Sequence, residues 1–240
     1  MIAARSLLAV SFAVAAAGCA SAGGELRDPW EGMNRGIYRF NSGFDDWIAR
    51  PVATAYQSVL HDEIRGRVRN FFSNLADPFI GVNNMLQGKF EDGLFDWLRF
   101  AFNTTFGLLG IHDVASDMGY EKHNEDFGQT FGRWGAEPGP YLVLPILGPS
   151  TLRDATGTVL DLVTDPVGYA EPNAVRNSAV ALRATQQRAD LLDAGRLLEE
   201  AALDRYVFLR DAYFQRRRNL IYDGRPPREV VNDTPDPSVK

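Results

Sequence analysis

The chain has 240 residues, with 25 Lys plus Arg against 31 Asp plus Glu and a formal net charge of −6. That balance offers no basic footprint for a phosphate backbone, which excludes nucleic acid as a partner. A hydrophobic content of 45% with 15 Phe and 8 Tyr belongs to a folded chain, long enough for one substantial domain.

Arg5 precedes an apolar run from Leu7 to Ala17, and small residues lead from it into Cys19, the only cysteine. This pattern predicts a secretory signal over residues 1–18. The run is too short to span a bilayer as a helix, and no later stretch is long and apolar enough, so no transmembrane helix is expected. Ala16-Ala17-Gly18-Cys19 resembles the lipobox of bacterial lipoproteins, in which cleavage before the cysteine is followed by its acylation. The resemblance implies lipid attachment at Cys19, and two or more acyl chains anchor a protein stably. Ala20 stands where an Asp would retain the protein at the inner membrane, so the expected address is the periplasmic face of the outer membrane. Residues 19–27 are then a lipidated tether, 28–222 a helical domain, and the Pro-rich, charged segment 223–240 a disordered tail.

Asp28 and Pro29 have the chemistry of a helix N-cap and first helical residue. Apolar residues from Trp30 to Ile48 recur at threes and fours up to Pro51, which predicts an aromatic amphipathic helix. A second short helix is expected over Val52–Leu60. A third runs over Asp62–Ser73 with Arg65, Arg67 and Arg69 on a face turned to solvent or to anionic head groups, and a fourth starts at Asp77-Pro78 and runs through Leu86, ended by Gly88.

The helix from Phe90 to Phe106 carries eight large apolar side chains: Phe90, Leu94, Phe95, Trp97, Leu98, Phe100, Phe102 and Phe106. Asp92, Asp96, Arg99 and Asn103 follow one another at steps of four, three and four, so they form one narrow polar stripe. Each large side chain left in water forfeits roughly 1.5–3 kcal/mol, so the apolar surface must be covered by protein or by lipid. Gly107-Leu108-Leu109-Gly110 reads as an apolar surface loop, and Ile111–Ala115 as a turn entering a short helix that ends near Gly119.

Between Phe127 and Gly148 five glycines and three prolines break up the pattern, and Pro145 argues against both helix and central strand over Tyr141–Leu147. Ser150 is the expected N-cap of a helix reaching Val163. Helices over Asn173–Gln187 and Asp193–Tyr222 follow, the latter broken at Asp204, with Arg216, Arg217 and Arg218 placed to suit the helix dipole. With no heptads, repeats or alternating strands, the fold class is all-α.

Parts for catalysis are missing. His61, His112 and His123 are not at metal-ligand spacing from cysteine or paired carboxylates, and neither HExxH nor GxSxG occurs. Gly81–Lys89 has six residues between its glycines and Phe90 where a phosphate loop needs Ser or Thr. His112 and Asp113 are neighbours that a helix would not turn toward each other, so the histidine is structural. For Glu137, Arg153 and Asp154 capping and solvation suffice. No enzyme, metal or cofactor is expected.

Five blocks carry a resemblance: DPWEGMNRGIYRFN (Asp28–Asn41), RPVATAY (Arg50–Tyr56), FNTTFGLLGIHDVA (Phe102–Ala115), EDFGQTFGRWGAEPGPYLVLPILGPSTLRDATG (Glu125–Gly157) and AYFQRRR (Ala212–Arg218). In this order they resemble the MlaA (VacJ) family of outer-membrane lipoproteins, from about Asp28 to Gly224. The resemblance implies a ring-like helical protein lying in the inner leaflet of the outer membrane beside a porin trimer, with an amphipathic channel. It implies removal of phospholipids misplaced in the outer leaflet and their transfer to the periplasmic carrier MlaC, which keeps the membrane asymmetric. It also implies a mobile loop beside the channel, which falls here on Gly132, Gly135 and Gly139. Because head-group charge is costly in hydrocarbon, Asp92, Asp96, Arg99 and Asn103 become the candidate channel lining. The competing class is an adaptor lipoprotein that docks porins without moving lipid.

Overall fold

The computed structural model describes residues 27–227, except for the side chains of 197–201; the signal segment, Cys19, nearly all of the tether and residues 228–240 lie outside the described residues. The domain is helical apart from one small hairpin, as the sequence predicts. The helices are α1 (Glu31–Phe44), α2 (Arg50–Val59), α3 (Asp62–Leu86), α4 (Phe90–Thr105), α5 (Val114–Asp117), α6 (Phe127–Arg133), α7 (Leu152–Thr164), α8 (Asn173–Asp190), α9 (Leu192–Ala201) and α10 (Arg205–Ile221), with the strands β1 (Tyr141–Leu144) and β2 (Gly148–Thr151) between α6 and α7. A π-helical turn, Asp45–Ala49, joins α1 to α2.

The elements touch in a closed circuit: α1 meets β1, β1 meets α7, α7 meets α6, α6 meets α3, α3 meets α8, α8 meets α2, and α2 returns to α1 through the π turn. The helical pair α3 and α4 forms the most extensive contact, and α10 packs on α6 and β2. No described helix is long and apolar enough to cross a membrane.

Four local expectations are corrected. Asp28 is not a cap: the N-cap of α1 is Trp30, while the buried Asp28 carboxylate accepts hydrogen bonds from Asn34 Nδ2 at 2.8 Å and from the Tyr206 hydroxyl. The two helices expected over 62–86 are one, with Pro78 inside it. Proline removes only its own N–H bond and bends the helix, and the contact with α4 outweighs that loss. Thr151, not Ser150, caps α7, its side chain accepting from Asp154 N.

The fourth correction is the hairpin, in which Tyr141 pairs with Thr151 and Leu144 with Gly148. Pro145 falls in its turn rather than in a strand, so it breaks no ladder. A two-stranded sheet is marginal alone. Here α1 completes it: Asn34 donates to Tyr141 O at 3.0 Å and accepts from Val143 N at 2.9 Å. Asn41 likewise donates to Leu144 O at 2.9 Å and accepts from Ile146 N at 2.8 Å. Two asparagines seven residues apart lie on one helix face and use their amides as a third strand would use its peptides.

Burial is reversed relative to an ordinary globular domain. Among the described residues seventeen polar or charged residues are buried against eleven apolar ones, while thirty-one large apolar residues are exposed. Along α4 and its C-cap Phe106, none of the eight large apolar side chains is buried, and Phe90 and Phe106 are 69% and 68% exposed. The apolar clusters that do form are small: Ala53, Ala189 and Leu192 between α2 and α8–α9, and Tyr141, Val143 and Tyr206 between the hairpin and α10.

Candidate lipid site and polar interior

The polar stripe of α4 turns inward. Asp96, Arg99 and Asn103 are buried, and only Asp92 keeps partial exposure. Asp96 accepts from Asn84 Nδ2 at 2.7 Å and lies 3.0 Å from His123 Nδ1. Arg99 makes a two-pronged bond to Asp113, both distances 2.9 Å, and donates to Ser116 Oγ and Tyr120 O. Asn103 donates to Asp113 and accepts from Ala115 N at 2.8 Å. Burial works against the charge on Asp113, but hydrogen bonds from Ser116, Asn103 and Arg99 bring its pKa down to about 2. Burial pushes the Asp77 carboxyl up, an effect tempered by Lys122 and Arg99.

This network holds the 106–123 segment to α3 and α4. Asp96, Arg99 and Asn103 are consumed by helix–helix and helix–loop bonds and are closed to solvent, so they line no open passage in this structure. The physical reason is that a dry interior rewards satisfied polar groups, while the apolar face of α4 is left outside. His112 takes no part, whereas Asp113 is the hub that its adjacency to His112 concealed.

The glycine-rich segment does border a space. A cavity of about 740 Å³ opens between residues 132–139, the start of α7 and the last turns of α10. Gly132, Gly135 and Gly139 all line it, in different conformations. Gly132 is still helical, and a side chain there would meet Ile221 at 2.8 Å. Gly135 and Gly139 have φ of +92° and +67°, backbone that L residues adopt at a cost. Trp134 and Leu152, on the segments that frame the cavity, are more than half exposed.

Beneath the cavity lies an ion-pair hub that sequence reasoning missed. Arg217 grips Asp126 with both Nη groups at 2.6 and 2.5 Å, and reaches Asp154 Oδ1 at 3.2 Å. Asp154, 4% exposed, also accepts from Arg153 Nε at 2.9 Å and from the Tyr213 hydroxyl. Burial opposes the charges of Asp126 and Asp154, yet the arginines hold both carboxyls below the usual range. Burial and the Asp154 carboxylate raise the Tyr213 hydroxyl, so it remains a donor. Asp161 behaves differently: burial pushes it up to about 6, only partly offset by the hydrogen bond from Phe127 N, with Asp126 adding to the rise. The sequence signal for this hub was slight. Asp126, three residues before Gln129, is a legible N-cap, but nothing paired it with Arg217, which helix-dipole arithmetic had already explained.

A second cavity, about 860 Å³, lies between α1 and the 203–206 turn, beside Arg35 stacked on Tyr206 at 4.4 Å. No group of three or more metal-ligating side chains occurs among the described residues.

A closed circuit of helices with polar groups inside, apolar groups outside and a mixed cavity under a glycine-rich loop defines an amphipathic helical shell, suited to the boundary between lipid and water. The family model described as MlaA lipoprotein matches residues 26–220, and the chain belongs to that family. It is 37% identical over 224 residues to the intermembrane phospholipid transport system lipoprotein MlaA of Escherichia coli strain K12, covering 90% of this chain and 88% of the relative. The lipoprotein of the same name from Haemophilus influenzae is 29% identical over 91% of each chain. A solved chain from work on the structural basis for maintenance of bacterial outer membrane lipid asymmetry superposes with a TM-score of 0.70 at 35% identity, covering 81% of this chain and 98% of that one.

Proposed function

We propose that this protein removes mislocalised phospholipids from the outer leaflet of the outer membrane and hands them to a periplasmic carrier of the MlaC kind. It works lipid-anchored through Cys19, from the periplasmic face and beside a porin trimer. The observation that carries the proposal is the reversed burial: an exposed belt that includes Phe90, Leu94, Phe106, Leu108 and Leu109 around a hydrogen-bonded polar interior. Such a surface is stable only where hydrocarbon replaces water around it. A phospholipid moving through a leaflet needs a polar route for its head group and an apolar one for its tails. The route is assigned to the cavity under residues 132–139, whose lining includes both arginines and aromatic side chains, and not to the inward stripe of α4. Gly135 and Gly139 are the positions at which that loop moves to admit a head group.

The test is reconstitution of the acylated protein with a porin and its carrier, following labelled phospholipid. Net transfer to the carrier is expected. Binding without transfer makes the protein an adaptor, and release of free fatty acid makes it a phospholipase.

A further inference from the structure

The lining of the cavity under the glycine-rich loop pairs most of its charges internally. Arg217 is bonded to Asp126 and Asp154, and Arg153 gives its Nε to Asp154 at 2.9 Å. Arg218 is engaged too, donating to Pro227 O. One lining cation and one lining carboxylate are left over: the side chains of Arg27 and Glu137 make no hydrogen bond or ion pair among the described residues. Both are held at the backbone. Arg27 O accepts from Tyr141 N at 2.9 Å, and the Arg27 guanidinium stacks over the Phe214 ring at 5.9 Å. Glu137 stands between two carbonyls that Arg153 holds, Ala136 O from Nη1 at 3.2 Å and Pro138 O from the backbone N at 3.1 Å. Its carboxylate nevertheless makes no pair with that guanidinium, and Arg153 keeps Nη2 without a hydrogen bond among the described residues.

The cavity therefore offers spare donors and a spare carboxylate that do not satisfy each other. Arginine forks match the paired oxygens of a phosphodiester, and a carboxylate matches the three N–H donors of a primary ammonium. We propose that this cavity is a head-group site for zwitterionic phospholipids with a primary ammonium, the phosphoethanolamine class. Arg27 and the Nη2 group of Arg153 are the phosphate ligands, and Glu137 is the ammonium ligand. A quaternary ammonium has no N–H to give and is recognised by an aromatic cage, whereas the lining residues beside Glu137 are Gly135, Ala136, Pro138 and Gly139. A glycerol head group brings no cation and leaves Glu137 facing an anion. From α10, Phe214, Ile221 and Tyr222 supply the apolar wall for the glycerol and first methylenes. The inference rests on the lipid-transfer function and deepens it by naming the head group.

The experiment measures binding of the dihexanoyl forms of phosphatidylethanolamine, phosphatidylcholine and phosphatidylglycerol, and of inorganic phosphate, to the full-length acylated protein in a non-ionic detergent. Phosphatidylethanolamine should bind saturably and about fivefold more tightly than either other lipid, with inorganic phosphate weaker than all three. Arg27→Gln should weaken all three lipids about tenfold. Glu137→Gln should weaken phosphatidylethanolamine about fivefold and strengthen phosphatidylglycerol about twofold, whereas a damaged fold weakens both. Unchanged phosphatidylethanolamine affinity in the Arg27 variant overturns the phosphate contact. An equal effect of Glu137→Gln on the two lipids, or equal affinities in the wild type, overturns the ammonium contact. Inorganic phosphate bound as tightly as the lipids makes this a general anion site and overturns the proposal. The reconstituted transfer assay separates the two levels: selective binding with no delivery to the carrier sinks the function and leaves the site, whereas delivery without selective binding sinks the site alone.

Discussion

The guanidinium of Arg217 holds both oxygens of the Asp126 carboxylate, at 2.6 and 2.5 Å, across ninety-one residues of chain. This pair ties α10 to the start of α6, and through Asp154 to the first turn of α7, so three elements that frame the cavity share one charge cluster.

Removing Arg217 strands two carboxylates that burial already disfavours. Arg217→Met should destabilise the domain by about 3–5 kcal/mol, the cost of leaving a buried partner uncompensated. Arg217→Lys keeps the charge but not the fork, and should fall between that variant and the wild type. Chemical denaturation in a mild detergent measures both, and equal stability of the methionine variant contradicts the role given to the hub.

Asp161 supplies a pH signature of the opposite sign from its neighbours. Its pKa is raised to about 6 in the fold, so the folded state binds its proton more tightly than the unfolded chain does. Its contribution is fully present below about pH 4 and is lost as pH rises through 6. Asp161→Asn should therefore raise the melting temperature at pH 7.5, and the advantage should vanish by pH 4. The gain is about 1 kcal/mol, after discounting for the group's partial exposure. A constant difference across that range refutes the assignment.

Asp113 follows the ordinary carboxylate pattern. Its pKa is lowered to about 2, so its stabilisation is intact above pH 4 and lost as pH falls toward 2. Asp113→Asn keeps a hydrogen-bond acceptor but takes from the buried Arg99 the nearer of its two carboxylates, leaving Asp77 at 3.8 Å. A loss of about 3 kcal/mol is expected at pH 7, shrinking at pH 3, read from unfolding midpoints at the two pH values.

The crossing of α6 and α7 depends on Gly157, where an added Cβ would come within 2.3 Å of Gly128 N and 2.7 Å of Gly128 Cα. Backbone cannot swing aside as a side chain does, so Gly157→Ala should cost about 1–3 kcal/mol and loosen the cavity floor. Hydrogen exchange at residues 127–133 reports the loosening directly.

Exposed α4 residues should behave in the reverse manner. Phe90→Ser with Leu94→Ser removes little internal packing, so the thermal midpoint in detergent should stay within a few degrees. Partitioning of the protein without its acyl chains onto liposomes should fall at least tenfold, since each side chain brings about 1.5–3 kcal/mol of transfer energy when fully covered. Loss of stability with unchanged partitioning would mean that these residues pack internally.

The sequence by itself determined the helical class, most helix positions and the family, because those rest on local signals: the spacing of apolar residues, the break at Asp204 and glycine at the end of α3. It also determined that α4 is apolar around most of its circumference with a thin polar stripe. Only the tertiary structure decided which face points in. Periodicity finds an amphipathic helix but carries no sign, and the usual assumption of apolar inside fails when the surrounding solvent is hydrocarbon. The hairpin, the Asn34 and Asn41 clamp on its edge and the Arg217–Asp126–Asp154 hub escaped the sequence for a related reason. Each joins side chains whose partners are fixed by the folded chain and by no local spacing. An arginine near a helix end looks the same from the sequence whether it faces water or a buried carboxylate ninety-one residues away.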